Sequence, residues 1–131
     1  VINLILVGLI WTIQLVHYPS FKFVDDSCFA EFEAFHVKRI SILVMPLMLA
    51  ELFISLISLK LETPWSYYSL LIVGLIWIST FFLSVPLHKK LKSGKNIETI
   101  SKLVQTNWPR TILWTLKSIY LLSILWKSYE T

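Results

Sequence analysis

The residues best suited to chemistry in this sequence lie where apolar runs begin or end. His17 ends the first run, His88 ends the third, and Asn107 and Arg110 open the fourth. Imidazole, amide and guanidinium groups bind polar atoms or anions, and histidine also transfers protons near neutral pH. If the runs alternate in direction, these four residues meet at one end. The sequence therefore predicts a polar site there.

Helical spacing extends this site to a pocket, because residues three or four apart share one face of a helix. The polar face of the first run passes through His17 or Tyr18. The predicted ligand pocket comprises Trp11, Gln14, His17, Ser84, His88, Asn107, Arg110, Thr111 and Trp114. Any one of them alone is typical of the headgroup region, but the set on consistent faces favours an inward-facing pocket. None is assigned a catalytic role.

Three histidines, His17, His36 and His88, raise the question of a metal ion. They have the donor set of a three-histidine site with one open position for zinc, copper or iron. A di-iron bundle needs a second Glu-x-x-His pair besides Glu33 and His36, and the sequence lacks one. We therefore favour no metal and no other cofactor, and expect the histidines to make hydrogen bonds. Motifs of standard hydrolases are also absent.

The elements that must position these residues are membrane-spanning helices. Of 131 residues, 56% are apolar and only 15% are charged, which excludes an ordinary soluble domain. Four apolar runs approach the about 20 residues that cross a bilayer as a helix. Their approximate spans are 1–17, 40–59, 65–87 and 108–126. We expect an all-α integral membrane four-helix bundle, up-down-up-down, with residues 1–131 forming a single transmembrane domain.

The segment FKFVDDSCFAEFEAFHVKR, between the first and second runs, carries phenylalanines at helical spacing. It forms either a short amphipathic helix along the membrane interface or an outward extension of the second helix. In the first case His36 stands outside the membrane.

The cations lie mostly on one side of the predicted bundle. Nine lysines and arginines lie in or near the first and third loops, whereas only Lys60 and Lys127 lie near helix ends on the other side. The positive-inside rule places both long loops in the cytoplasm and both termini outside. We expect a protein of the bacterial inner membrane with the lipid bilayer as its surroundings. The net charge of +4 reflects this orientation, so nucleic acid is not an expected partner.

Two charged residues lie deep in the predicted spans, Glu51 and Lys117. At about 1.5 Å per residue, each reaches the middle of a hydrocarbon core about 30 Å thick. An ionisable group at that depth usually finds a partner. We therefore predict a buried ion pair, formed directly or through Ser118, Thr115 or water.

The motifs WTIQLVHYPSF, MPLMLAE, STFFLSVPLHKKL and LVQTNWPRTILWT together resemble those of small, mostly uncharacterised bacterial four-helix membrane proteins. The third and fourth motifs are also distantly similar to the anthrone-oxygenase-like family. That resemblance marks Asn107, Arg110 and Thr111 as characteristic positions. It implies a four-helix bundle that oxidises an aromatic polyketide-like molecule without a tightly bound cofactor.

Two functions remain in competition. The first is a pocket for a hydrophobic or aromatic small molecule at the cytoplasmic membrane interface, in a binding protein or a membrane-embedded oxidoreductase-like enzyme. The second is a non-catalytic accessory or assembly subunit of a larger membrane complex, or a homo-oligomer. A proton or ion path is less favoured, because a path needs polar residues along its whole length and the outer half shows few.

Overall fold

The computed structural model describes residues 1–130, and all regular structure in that part is helical. Four long helical segments follow one another. They are α1 (Ile2–Phe23), α2 (Phe29–Leu61), α3 (Pro64–Leu91) and α4 (Ile97–Tyr129). The loops at residues 24–28 and 92–96 define one end of the molecule, here called the basic end. The predicted all-helical class is confirmed.

Three of these segments, α1, α2 and α3, are long and apolar enough to cross a membrane. Their large outward-facing side chains are highly exposed, for example Leu15 (60%), Phe53 (64%) and Phe82 (75%). Apolar surface of this extent requires lipid or another apolar cover. α4 does not meet the same criterion, because Arg110 and Lys117 lower the mean hydropathy of its apolar part. The helices support an integral membrane protein.

The segment before the second predicted span is continuous with α2, so no separate interfacial helix precedes it. A turn at residues 25–28 precedes α2, and the Ser27 backbone N–H donates to Asp25 Oδ1 at 2.9 Å. Hydrogen bonds from the Ser27 hydroxyl and backbone lower the pKa of the Asp25 carboxyl. α4 also begins well before its predicted span, where Asn96 Oδ1 accepts from Thr99 N–H at 2.7 Å.

α1 and α3 each contain one wide turn of the π type, at Ile13–His17 and at Thr80–Ser84. A proline follows each turn, Pro19 in the first case and Pro86 in the second. Proline has no N–H to donate, so carbonyl groups in the preceding turn need other donors. A π turn pairs them with residues five positions along the chain. Because it holds one residue more than an α turn, it changes the face on which later residues lie.

The helices pack mainly against two neighbours each: α1 packs against α2 and α4, and α3 also packs against α2 and α4. Two buried apolar clusters fill the space between them. The cluster at the basic end contains Ile13, Tyr18, Phe21, Phe29, Leu91, Ile100 and Leu103. The other cluster contains Leu6, Ile10, Met48, Ile76 and Trp114. At the basic end, Lys95 Nζ lies 3.0 Å from Asp26 Oδ1 and donates to the Val24 carbonyl at 2.7 Å, which joins the two loops.

Candidate functional site

A cavity of about 460 Å³ opens between α2 and α3 near the basic end. This volume lies within the range of about 300–1,000 Å³ typical of small-molecule pockets. Its apolar lining is formed by Val37, Ile40, Val44, Met45, Met48 and Val85. Its polar lining is formed by Tyr18, Ser41, Thr80, Ser84, His88, Lys89, Lys92 and Arg110. Among the described residues, no aspartate or glutamate lines it.

Arg110 lies in the floor of the cavity and is only 6% exposed. Its guanidinium donates to Asn107 Oδ1 and, at 3.5 Å, to Thr80 Oγ1. The Nε atom is buried without a hydrogen-bond partner. No carboxylate of the described residues lies within ion-pair distance of it. Burial of an unpaired charge is costly, so the site is suited to an anion that enters the cavity.

Behind Arg110, a buried network of hydrogen bonds connects α1 to α4. Gln14 Oε1 accepts from Asn107 Nδ2 at 2.7 Å and from the Thr111 hydroxyl at 3.4 Å. Gln14 Nε2 donates to the Val104 carbonyl at 3.1 Å. The Asn107 amide is thereby oriented with its oxygen toward Arg110. A satisfied network of this kind is rigid, and it fixes the guanidinium at the cavity floor.

A second polar group joins Glu33, His88 and Tyr18 at the cavity wall. His88 Nδ1 lies 2.6 Å from Glu33 Oε1, and His88 Nε2 lies 3.0 Å from the Tyr18 hydroxyl oxygen. The Glu33 carboxylate favours the tautomer with its proton on Nδ1, which leaves Nε2 to accept from Tyr18. Because Tyr18 and His88 both line the cavity, this arrangement can transfer a proton to or from a bound molecule.

His36 stands next to this group, with its Nδ1 2.6 Å from His17 Nε2 and its ring centroid 5.4 Å from that of His88. Both ring nitrogens of His88 are already engaged by Glu33 and Tyr18. Among the described residues, no three histidine, cysteine or acidic side chains are arranged to hold one metal ion. The three histidines therefore form hydrogen bonds and ring contacts rather than one converging set of donors.

The nine residues of the predicted pocket fall into three groups in the structure. Those that line the cavity are Ser84, His88 and Arg110. Those in the hydrogen-bonded layer behind the arginine are Gln14, Asn107 and Thr111. Those that lie elsewhere are Trp11, His17 and Trp114. The structure thus brings six of the nine together.

The remaining three have other contacts. Trp11 Nε1 donates to Thr115 Oγ1 at 3.1 Å on the side of α1 that faces α4. His17 lines a separate groove of about 180 Å³ with His36. Trp114 is buried below the cavity, in a small void that Tyr18 and Arg110 also line.

Sequence reasoning missed Glu33 and the α2 wall, and it left Tyr18 only as an alternative to His17. A signal for Glu33 was present, because Phe29, Glu33 and His36 are spaced by four and three residues and share a helix face. All three are buried in the structure. The sequence does not decide whether this segment continues the second helix or lies outside the membrane, so the spacing alone did not place Glu33 in the site.

Glu51 and Lys117 meet deep between α2 and α4. Lys117 Nζ donates to Glu51 Oε1 at 2.7 Å, and Trp114 Nε1 donates to Glu51 Oε2 at 2.9 Å. Lys117 is 3% exposed and Glu51 is 5% exposed. This is the direct contact that their shared depth in the sequence predicts. At the next residue of α4, Asn3 donates to the Ser118 hydroxyl, which adds an α1 contact to the same layer.

Comparison of the chain with models of known protein families, with characterised proteins and with solved structures gives no match. The resemblance to the anthrone-oxygenase-like family therefore stays a prediction.

Proposed function

We propose that the four helices form an up-down-up-down bundle in which α4 is the fourth span. Hydrogen bonds from Asn3 to Ser118 and from Asn107 to Gln14 support an antiparallel arrangement of α1 and α4. Arg110 and Lys117, which lower the hydropathy of α4, are both buried. The outward side of α4 is apolar, with Leu116 as an example at 56% exposure. α4 can therefore face lipid without exposing Arg110 or Lys117 to it.

In this arrangement the basic end faces the cytoplasm of a bacterial cell, and the protein lies in the inner membrane. The excess of lysine and arginine around the two basic-end loops supports that orientation. The cavity between α2 and α3 then lies at the cytoplasmic side of the bilayer.

The function that this geometry supports best is binding of a small molecule in that cavity. The observation that carries this proposal is the buried Arg110 guanidinium in the cavity floor, which has no carboxylate partner and an unsatisfied Nε. A buried charge without a paired charge is costly, and a bound anion would offset that cost. The apolar wall of α2 provides the complementary surface for the rest of the ligand.

The test compares two neighbouring tryptophan substitutions in α2. Ser41→Trp fills the cavity, whereas Ile42→Trp places the same side chain on the outer surface, where Ile42 is 59% exposed. Organic extracts of the purified proteins are analysed by mass spectrometry. We expect a molecule that is retained by wild type and Ile42→Trp and lost from Ser41→Trp. Identical extracts, with a stoichiometric protein partner in each sample, would instead favour an accessory subunit.

The Glu33, His88 and Tyr18 arrangement favours acid–base catalysis as a second candidate function. Tyr18→Phe removes the hydroxyl at the cavity wall and leaves the ring in the buried cluster. We expect wild type to convert the extracted molecule to a product of different mass. Tyr18→Phe should retain the molecule but should not convert it. If wild type does not change the molecule, the protein binds it without catalysis.

A further inference from the structure

The lining of the cavity is divided between one charged side and one apolar side. The cationic groups are Lys89 of α3 and Lys92 of the following loop at the rim, and Arg110 of α4 in the floor. The buried carboxylate of Glu33 contacts His88 through Oε1 and is not part of the lining. The positive charge in the cavity is therefore not balanced by the residues around it. An anionic group fits this side.

The α2 side forms an apolar stripe that runs inward from the basic end and passes the level of Arg110. Val37, Val44 and Met48 are separated by seven and four residues, so they follow one face of the helix. From Val37 to Met48 the stripe is about 16 Å long at about 1.5 Å per residue. A cavity of about 460 Å³ bounded by a stripe of this length has the shape of a site for one extended chain.

We infer that the ligand is a single-chain anionic amphiphile, whose carboxylate or phosphate headgroup binds Arg110, Lys89 and Lys92 while its apolar chain lies along α2. This inference rests on the proposed binding function and adds the chemical class of the ligand. The chain end enters from the lipid side, since the cavity lies between two helices that both carry exposed apolar surfaces. The Ser84 hydroxyl, buried without a partner, adds a further donor near the headgroup.

The experiment measures binding of radiolabelled oleate to the full chain in a nonionic detergent. The variant Lys89→Gln/Lys92→Gln removes both rim cations, which are exposed and outside the buried clusters. We expect binding to weaken by about tenfold, the change expected for two exposed ion pairs. The matched control is Lys90→Gln, another exposed lysine of the same turn that does not line the cavity. It should bind oleate as wild type does.

Competition experiments test separately how the headgroup and the chain contribute to binding. A lysophosphatidate should displace oleate, whereas oleyl alcohol and inorganic phosphate alone should not, because each lacks one half of the ligand. Arg110→Lys and Arg110→Gln should both reduce binding, and the glutamine variant is compared only if it remains monodisperse. Equal competition by oleate and oleyl alcohol, or wild-type affinity of Lys89→Gln/Lys92→Gln, would overturn the inference.

Failure of this inference can be distinguished from failure of the proposed function. If a molecule is lost from Ser41→Trp but oleate and lysophosphatidate do not bind wild type, the site is real and the ligand class is wrong. If Ser41→Trp and Ile42→Trp give identical extracts and neither probe binds, both proposals fail.

Discussion

Two cations of α4 are buried, and they differ in what they contact. Lys117 is paired with Glu51, whereas Arg110 contacts uncharged groups, the Asn107 amide oxygen and the Thr80 and Tyr18 hydroxyls. The first arrangement is complete within the chain and supports the fold. The second leaves the Nε of the guanidinium without a hydrogen-bond partner and the charge without a carboxylate, which is consistent with binding of an anion there.

We predict that Glu51→Gln and Lys117→Met are each strongly destabilising, whereas the double variant is less so than either. Each single change leaves one charge buried without its partner, which costs about 3–5 kcal/mol. The double change removes both charges and retains most of the buried volume. The measurement is the free energy of unfolding in detergent. Additive effects of the two substitutions would show that the pair does not contribute as a unit.

We also predict that Gln14→Leu both destabilises the protein and weakens ligand binding. It removes the 2.7 Å acceptor of Asn107 Nδ2 and the contacts of Gln14 with Thr111 and the Val104 carbonyl, and a buried group that stays unsatisfied costs about 1–3 kcal/mol. Asn107 then no longer holds Arg110 in place. The control is Leu15→Ala on the exposed side of the same helix. Thermal unfolding and oleate binding are measured for both, and unchanged binding in Gln14→Leu would contradict the positioning role.

At the scale of the element, the sequence predicted the helices better than it predicted the side-chain faces beyond the π turns. The polar face of α4 followed from ordinary helical spacing, and Asn107, Arg110 and Thr111 are all buried. In α1 the same spacing left His17 and Tyr18 as alternatives. The π turn at Ile13–His17 brings Tyr18 to the cavity and His17 beside His36. Amino-acid composition does not predict a π turn, although the proline that follows it is one indication.

Glu33 illustrates a second limit of sequence reasoning. Its role depends on whether residues 29–39 continue α2, and an amphipathic segment rich in phenylalanine is compatible with either arrangement. The structure continues the helix, so Glu33 is buried and reaches His88 across the space between α2 and α3. The role of Glu33 therefore depends on a contact with His88, which is distant in sequence. In contrast, Glu51 and Lys117 were predictable because depth in the bilayer constrains both residues.

The π turn of α3 leads to a prediction about deletions. Removing Phe82 converts Thr80–Ser84 to an ordinary α turn and keeps both flanking parts of α3 in register, because a π turn holds one additional residue. Removing Ile78, from a regular α turn, rotates everything beyond it by about 100°. Both side chains are exposed. We expect a folded, monodisperse protein only for the Phe82 deletion, measured by size-exclusion chromatography. Equal folding of the two variants would contradict this account.

At the scale of the whole molecule, the surface of the long helices is apolar and several charged side chains lie in the interior beside the two apolar clusters. Glutamate, arginine and lysine side chains are buried between the helices, whereas leucine, isoleucine and phenylalanine dominate the exposed surface of the long helices. The exposed cations lie mainly at the basic end, beside the cavity rim. The orientation of the protein in the membrane therefore decides which compartment the headgroup of a ligand faces.

The last prediction tests that orientation with single cysteines at the two ends of the bundle. Cys28, an exposed thiol of the basic end, is first replaced by serine. Ser93→Cys then marks the basic-end loop, where neighbouring Gly94 is retained because its φ of +138° favours glycine. Lys60→Cys marks the opposite end, next to the short connection between α2 and α3. With the basic end in the cytoplasm, a membrane-impermeant thiol reagent added to intact cells should label Lys60→Cys and leave Ser93→Cys unlabelled until the cells are opened. The reverse labelling pattern would place the cavity mouth and its three cations on the outer side, and the ligand headgroup would then come from the outer leaflet.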